Sequence, residues 1–197
     1  MSLNSAFDAR RADELFHALA DQLQALRAGF ELVVIGGSAL QALGLIRRAT
    51  SDIDVVALAA QGELVPADPL PPALKEAAER VARDFGLPSD WLNAGPADLL
   101  RFGLPAGFES RLETRTYGPN LTVHFAGQLD QIHFKLYAMV DQGAGRHEAD
   151  LRALSPSPEE LLAAARWART HDPSGGFRQE LLKVLHHLGV PDADVGP

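Results

Sequence analysis

The stretch Leu32–Leu58, LVVIGGSALQALGLIRRATSDIDVVAL, constrains the fold more than any other part of the chain. Leu32 to Ile35 is a short apolar run of the kind that forms a buried strand. Gly36, Gly37 and Ser38 follow at once, and Ala39 to Leu45 is helix-compatible. Asp52-Ile53-Asp54-Val55-Val56 then reads as a second strand rich in β-branched residues. Side chains alternate across a strand, so Asp52 and Asp54 share one face while Ile53 and Val55 point into a core. Two neighbouring carboxylates repel unless a cation lies between them, and carboxylate oxygens with room for water and phosphate suit Mg²⁺. Glycines after a strand let backbone N–H groups approach a phosphate, so Gly36, Gly37 and Ser38 form a candidate phosphate cradle. Gly37 is expected to need either positive φ or close backbone approach. Together these are the parts needed for phosphoryl or nucleotidyl transfer.

The order Gly37-Ser38, spacer, Asp52-Ile53-Asp54-Val55 resembles the signature of the polymerase-β-like nucleotidyltransferases. Thr50-Ser51-Asp52-Ile53-Asp54 further resembles the abortive-infection branch, which includes toxins of toxin–antitoxin pairs. The segment Asp90-Trp91-Leu92-Asn93 is similar to one in that branch, although Trp91 is also accounted for by packing under a loop. A second block, Lys135-Leu136 with Arg146-His147-Glu148-Ala149-Asp150-Leu151, resembles the branch's later motif. The resemblance implies that Asp52 and Asp54 bind metal, that Lys135 contacts nucleotide phosphate and that Asp150 belongs to the active site. It also implies a nucleoside triphosphate substrate, Mg²⁺ as cofactor and room for an antitoxin partner. The acceptor stays open between RNA, a protein side chain and a small molecule. Two departures stand out. Arg146-His147 replaces a Lys-Asp pair, and no Asp or Glu lies between Leu121 and Ala126, where relatives often carry a third carboxylate.

Length and composition set the frame for this. The chain of 197 residues is 46% hydrophobic and 22% charged, ordinary for a soluble globular protein of one domain plus a helical extension. It has no cysteine, so disulfides and thiolate metal sites are excluded. No apolar stretch approaches a membrane span or a signal h-region, so the expected location is cytoplasmic. A formal charge of −8 argues against a globally basic nucleic-acid binder. Arg47 and Arg48, just before the acidic pair, read equally well as a local basic patch or a solvated loop.

Along the chain, residues 5 to 28 are expected to form an amphipathic helix on Leu15, Phe16, Leu19, Leu23 and Leu26. Proline-rich residues 59 to 72 read as a loop, long enough to be a lid or merely an insertion, and Ala73 to Phe85 as a helix. Strands are expected over 108 to 117 and 120 to 125, with Glu109, Glu113 and His124 as their polar residues. Gln128 to Gln142 reads as a helix buried through Leu129, Ile132, Leu136 and Met139. Lys135 falls at the edge of that stripe, where its stem can lie on apolar surface while its ammonium reaches a cleft. Asp130 reads as a first-turn acid. A further helix spans Arg146 to Leu154. Ser157, Pro158 and Glu160 announce another by a capping box, and Phe177 to Leu188 reads as the last. Adjacent His186 and His187 lie on different faces and read as surface residues.

The expected fold class is α/β (α+β): a small mixed sheet with flanking helices, nucleotidyltransferase-like over residues 1–127, and a helical C-terminal part over 128–197. The expected function is a Mg²⁺-dependent nucleotidyltransferase. Its competitor is a catalytically inactive protein of the same fold that binds or regulates.

Overall fold

The computed structural model describes residues 6–191 and 193–196. It is an α+β molecule with one six-stranded mixed sheet and flanking helices. The chain divides into two compact units, residues 1–101 with 109–126, and residues 102–108 with 127–197.

In the first unit, helix α1 runs Ala9–Ala25. Ser5, where the periodicity would begin it, lies outside the described residues. Asp8 sets the actual start, its Oδ1 accepting the Arg11 N–H at 2.9 Å. Leu15, Phe16, Leu19 and Leu23 are buried, as their spacing predicts. The sheet contains β1 (Phe30–Ile35), β2 (Ile53–Ala60), β3 (Glu63–Pro66), β4 (Leu92–Asn93), β5 (Glu113–Thr116) and β6 (Leu121–Phe125). Its order is β3-β2-β1-β6-β5, with β4 paired to β2. Central β1 is antiparallel to β2 and parallel to β6.

One sheet face packs Leu32, Val34, Ile53, Val55 and Leu58 against α1 and the helix Pro72–Phe85 (α3). A bulge keeps that face continuous. Val33 pairs with Ala57 but Val34 with Val55, so Val56 is an extra residue on β2. The insertion shifts the alternation by one, which lets Val55 and Leu58 both enter the core. Trp91 belongs to this core as well, fully buried with its indole N–H donating to the Ala78 carbonyl at 2.9 Å.

Two expected elements differ. The stretch 59 to 72 is not a plain loop: Gln61 (φ 55°) and Gly62 (φ 83°) turn the chain back so that β3 pairs with Ala57–Ala60. Two successive left-handed residues make the tight turn whose twist suits a hairpin, and Gln-Gly is a weaker sequence signal for it than Asn-Gly. Over 108 to 117, Phe108–Arg111 is a 3-10 helix and only Glu113–Thr116 is strand. All four residues of that strand are exposed, so no alternation of polarity marks its limits.

A short helix, α4 (Asp98–Phe102), follows β4 in the chain. The second unit is helical: α5 (Gln128–Gln142), α6 (Gly145–Leu154), α7 (Pro158–His171) and α8 (Gly175–His187). The predicted capping box starts α7, with the Glu160 N–H donating to Ser157 Oγ at 3.2 Å and the Ser157 N–H to Glu160 Oε2 at 2.8 Å. Buried Arg169 closes the α7–α8 turn by donating to the carbonyls of Asp172, Pro173 and Ser174 at 2.8–3.0 Å. His187 stays on the surface, its Nε2 2.8 Å from Glu148 Oε1. No described helix is long and apolar enough to cross a membrane.

Candidate functional site

The site in the first unit begins where β1 ends. Gly36 adopts φ 76° and opens the short helix α2 (Gly36–Ala42). A left-handed residue there turns the chain sharply off the strand, a conformation glycine adopts without a Cβ penalty. Antiparallel pairing sets Ile35 opposite Asp54, which brings the carboxylate to this turn. A Cβ on Gly36 would stand 2.6 Å from Asp54 Oδ2. The left-handed position is thus Gly36, while Gly37 meets the other condition, close approach. A Cβ on Gly37 would stand 2.8 Å from Thr50 Oγ1 and 3.3 Å from Arg48 Nη2. Gly37→Val is therefore expected to destabilise the protein by about 1–3 kcal/mol through overpacking. Gly36→Ala should cost at least as much, because backbone strain adds to the collision. Urea unfolding of both variants measures this, and a Gly37→Val protein of unchanged stability would show that the turn has room to spare.

Asp52 lies one residue before β2 and Asp54 is its second residue, a strand start one position later than the sequence pattern predicts. Each carboxylate is held by a neutral donor on one oxygen. Thr50 donates its hydroxyl to Asp52 Oδ1 at 3.1 Å. Thr50 is itself fixed by two backbone hydrogen bonds to Phe7, of 2.6 and 3.0 Å. Asn93 Nδ2 donates to Asp54 Oδ1 at 3.2 Å, from β4 alongside. The amide of Asn93 is oriented because its Oδ1 accepts the Gly95 N–H at 2.8 Å. Sequence reasoning gave no role to Thr50 or Asn93. Its one signal was that both lie inside segments that resemble the abortive-infection branch.

Ser38 is buried, and its Oγ has no hydrogen-bond partner. A buried hydroxyl without a partner costs free energy, and a ligand at the glycine turn would supply that partner. Buried Gln41 ties the loop to α2, its Nε2 donating to the carbonyls of Phe7 and Arg48. Arg48 is half-buried with Nη1 donating to the Ala49 carbonyl at 3.1 Å, and the Gly37 approach puts its guanidinium over the turn. A freely solvated loop does not describe it.

No carboxylate completes the acidic pair from β6. The polar residue there, His124, is engaged by Thr114 Oγ1 at 2.8 Å and Glu31 Oε2 at 3.0 Å. It pairs with Val33, two residues back along β1 from the position opposite Asp54. Among the described residues no group of three or more His, Cys, Asp or Glu gathers as a metal site. The remaining donor set, two hard carboxylates, fits Mg²⁺, which takes one or two protein carboxylates and keeps its other positions for water and phosphate.

In the second unit Lys135 is not at the edge of the apolar stripe. Its side chain is 7% exposed and its ammonium lies 2.9 Å from Asp150 Oδ2, itself 1% exposed. Asp130 is fully buried too, beyond what a first-turn acid requires. The reason is that α5 is buried on most of its circumference, including Asp130, Gln131, His133 and Lys135, where the amphipathic pattern predicts one face.

A family model described as "Nucleotidyltransferase of unknown function (DUF6036)" matches residues 11–145, more than half of the chain. Neither the curated proteins nor the solved structures gave a match. The matched span contains the glycine turn, both aspartates, Asn93 and Lys135, and the chain belongs to this family of nucleotidyltransferases.

Proposed function

We propose that this protein is a Mg²⁺-dependent nucleotidyltransferase that moves a nucleotide from a nucleoside triphosphate to an acceptor hydroxyl. One observation carries the reading: strand pairing and the left-handed Gly36 bring the Asp54 carboxylate against the glycine turn that opens α2, where a Cβ would stand 2.6 Å from its Oδ2. In the reaction the acceptor oxygen bonds to the α-phosphorus, the bond to the β-phosphate oxygen breaks, and pyrophosphate leaves while the hydroxyl proton passes to solvent. Asp52 and Asp54 would hold Mg²⁺, which when bound neutralises phosphate charge and activates the attacking hydroxyl. Gly36 and Gly37 let the turn pack closely on Asp54 and Thr50, and Ser38 would offer the triphosphate a hydroxyl that has no partner among the described residues. Arg48 over Gly37 adds a fixed positive charge where the phosphates would lie. Holding the reactants in place and balancing their charge is most of what such a transfer needs.

The likeness of Thr50-Ser51-Asp52-Ile53-Asp54 to the abortive-infection branch supports a toxin-type role with an antitoxin partner. The net charge of −8 favours a small or cationic acceptor over a long polyanion. The absence of a third metal-ligating side chain at the pair, among the described residues, favours the second reading, a protein that binds nucleotide without transferring it. Thermal shift with each of the four ribonucleoside triphosphates, with and without Mg²⁺, tests both. A shift of several degrees that appears only with Mg²⁺, accompanied by pyrophosphate release with RNA, protein or small-molecule acceptors, is expected. The same shift without pyrophosphate release supports the second reading. No shift with any triphosphate overturns both.

A further inference from the structure

We infer that Thr50 and Asn93 are positioning residues that hold Asp52 and Asp54 in the orientation a divalent cation requires. The inference rests on the proposed metal role of the two aspartates and deepens it. A carboxylate on a strand rotates about its terminal torsion, so two of them offer one oxygen each to a common ion only if something stops that rotation. Here each acid has one such stop. The Thr50 hydroxyl takes one oxygen of Asp52, and the Asn93 amide takes one oxygen of Asp54.

Both donors are themselves locked. Thr50 is 5% exposed and pinned by its two-bond bridge to Phe7, so its hydroxyl has little choice of position. Asn93 gives its oxygen to the Gly95 N–H, which leaves its NH₂ group as the part that faces Asp54. Neutral donors suit the task. Each satisfies one oxygen without adding a positive charge of its own. Thr50 does a second thing: its Oγ1 also bounds the space at Gly37, so the residue that orients Asp52 also limits the glycine turn. Supporting groups of this kind set ligand orientation, and their loss typically lowers metal affinity by about 10–100-fold.

The test uses Mn²⁺ as a probe, since it takes the same oxygen ligands and its free form is read by electron paramagnetic resonance. Thr50→Val removes the hydroxyl and keeps the shape, while Thr50→Ser keeps the hydroxyl. Asn93→Ala removes every polar contact. Asn93→Ser can still accept the Gly95 N–H but is too short to donate to Asp54. Melting in EDTA checks that each variant folds. The expected result is a loss of Mn²⁺ affinity of about tenfold or more in Thr50→Val, Asn93→Ala and Asn93→Ser, with Thr50→Ser close to the parent. If Asn93→Ser binds Mn²⁺ as well as the parent, the turn at Gly95 is what matters and the role toward Asp54 is overturned. If Thr50→Val binds normally, the role toward Asp52 is overturned. Should the unaltered protein fail to bind Mn²⁺ alone or with a triphosphate, the metal reading of the aspartate pair falls, and this inference with it.

Discussion

Replacing Lys135 with alanine is expected to destabilise the protein by about 3–5 kcal/mol, because it removes the ammonium paired with an almost fully buried Asp150 carboxylate. The two groups are 2.9 Å apart and their side chains 7% and 1% exposed, so bulk solvent takes over little of the lost interaction. Asp150→Ala should cost a similar amount by stranding the ammonium. A buried pair replaced as a whole behaves differently, since the desolvation of both charges is relieved together. The double variant Lys135→Met with Asp150→Leu is therefore expected to recover most of the stability lost in either single variant. Urea unfolding of the parent, both singles and the double measures this, and additive losses in the double would show that the pair is not an energetic unit. The same double variant also separates packing from function. If it is stable and keeps Mg²⁺-dependent triphosphate binding, the phosphate contact that family likeness implies for Lys135 is ruled out. If it is stable and binding is lost, that contact is supported.

Asp52→Asn and Asp54→Asn are each expected to abolish Mg²⁺-dependent triphosphate binding, a loss larger than the roughly 10–100-fold typical of a supporting residue. The fold should survive. An asparagine carbonyl oxygen can still accept from the Thr50 hydroxyl or the Asn93 amide, so these two hydrogen bonds are retained. Without metal the variants should be as stable as the parent or slightly more stable, because one of two neighbouring like charges is gone. Isothermal titration with a triphosphate in the presence and absence of Mg²⁺ reads the first effect, and melting in EDTA reads the second. Unchanged metal-dependent binding in both variants would remove the aspartates from the site.

What was legible in the sequence depended on how far apart the interacting residues lie along the chain. The capping box of Ser157 and Glu160 needs three residues, and the structure has it where the pattern puts it. Helix α5 begins and ends at the predicted residues because the glycines at 127 and 143 bound it. The alternation of half-buried Asp54 against buried Ile53 and Val55 is local as well. Spacing pointed to a glycine turn after β1, although not to which glycine is left-handed. That assignment depends on Asp54, far along the chain and brought opposite Ile35 by strand pairing. Asn93 is thirty-nine residues from Asp54 and meets it only because β4 lies parallel to the start of β2. Lys135 shows the same limit from the other side. Helical periodicity marks the most apolar stripe, but burial of the rest of α5 comes from the elements packed around it, among them α6 with Asp150 and α7. Local chemistry therefore determined the elements and the identity of the acids, while tertiary packing decided which donors hold the acids and which charges meet.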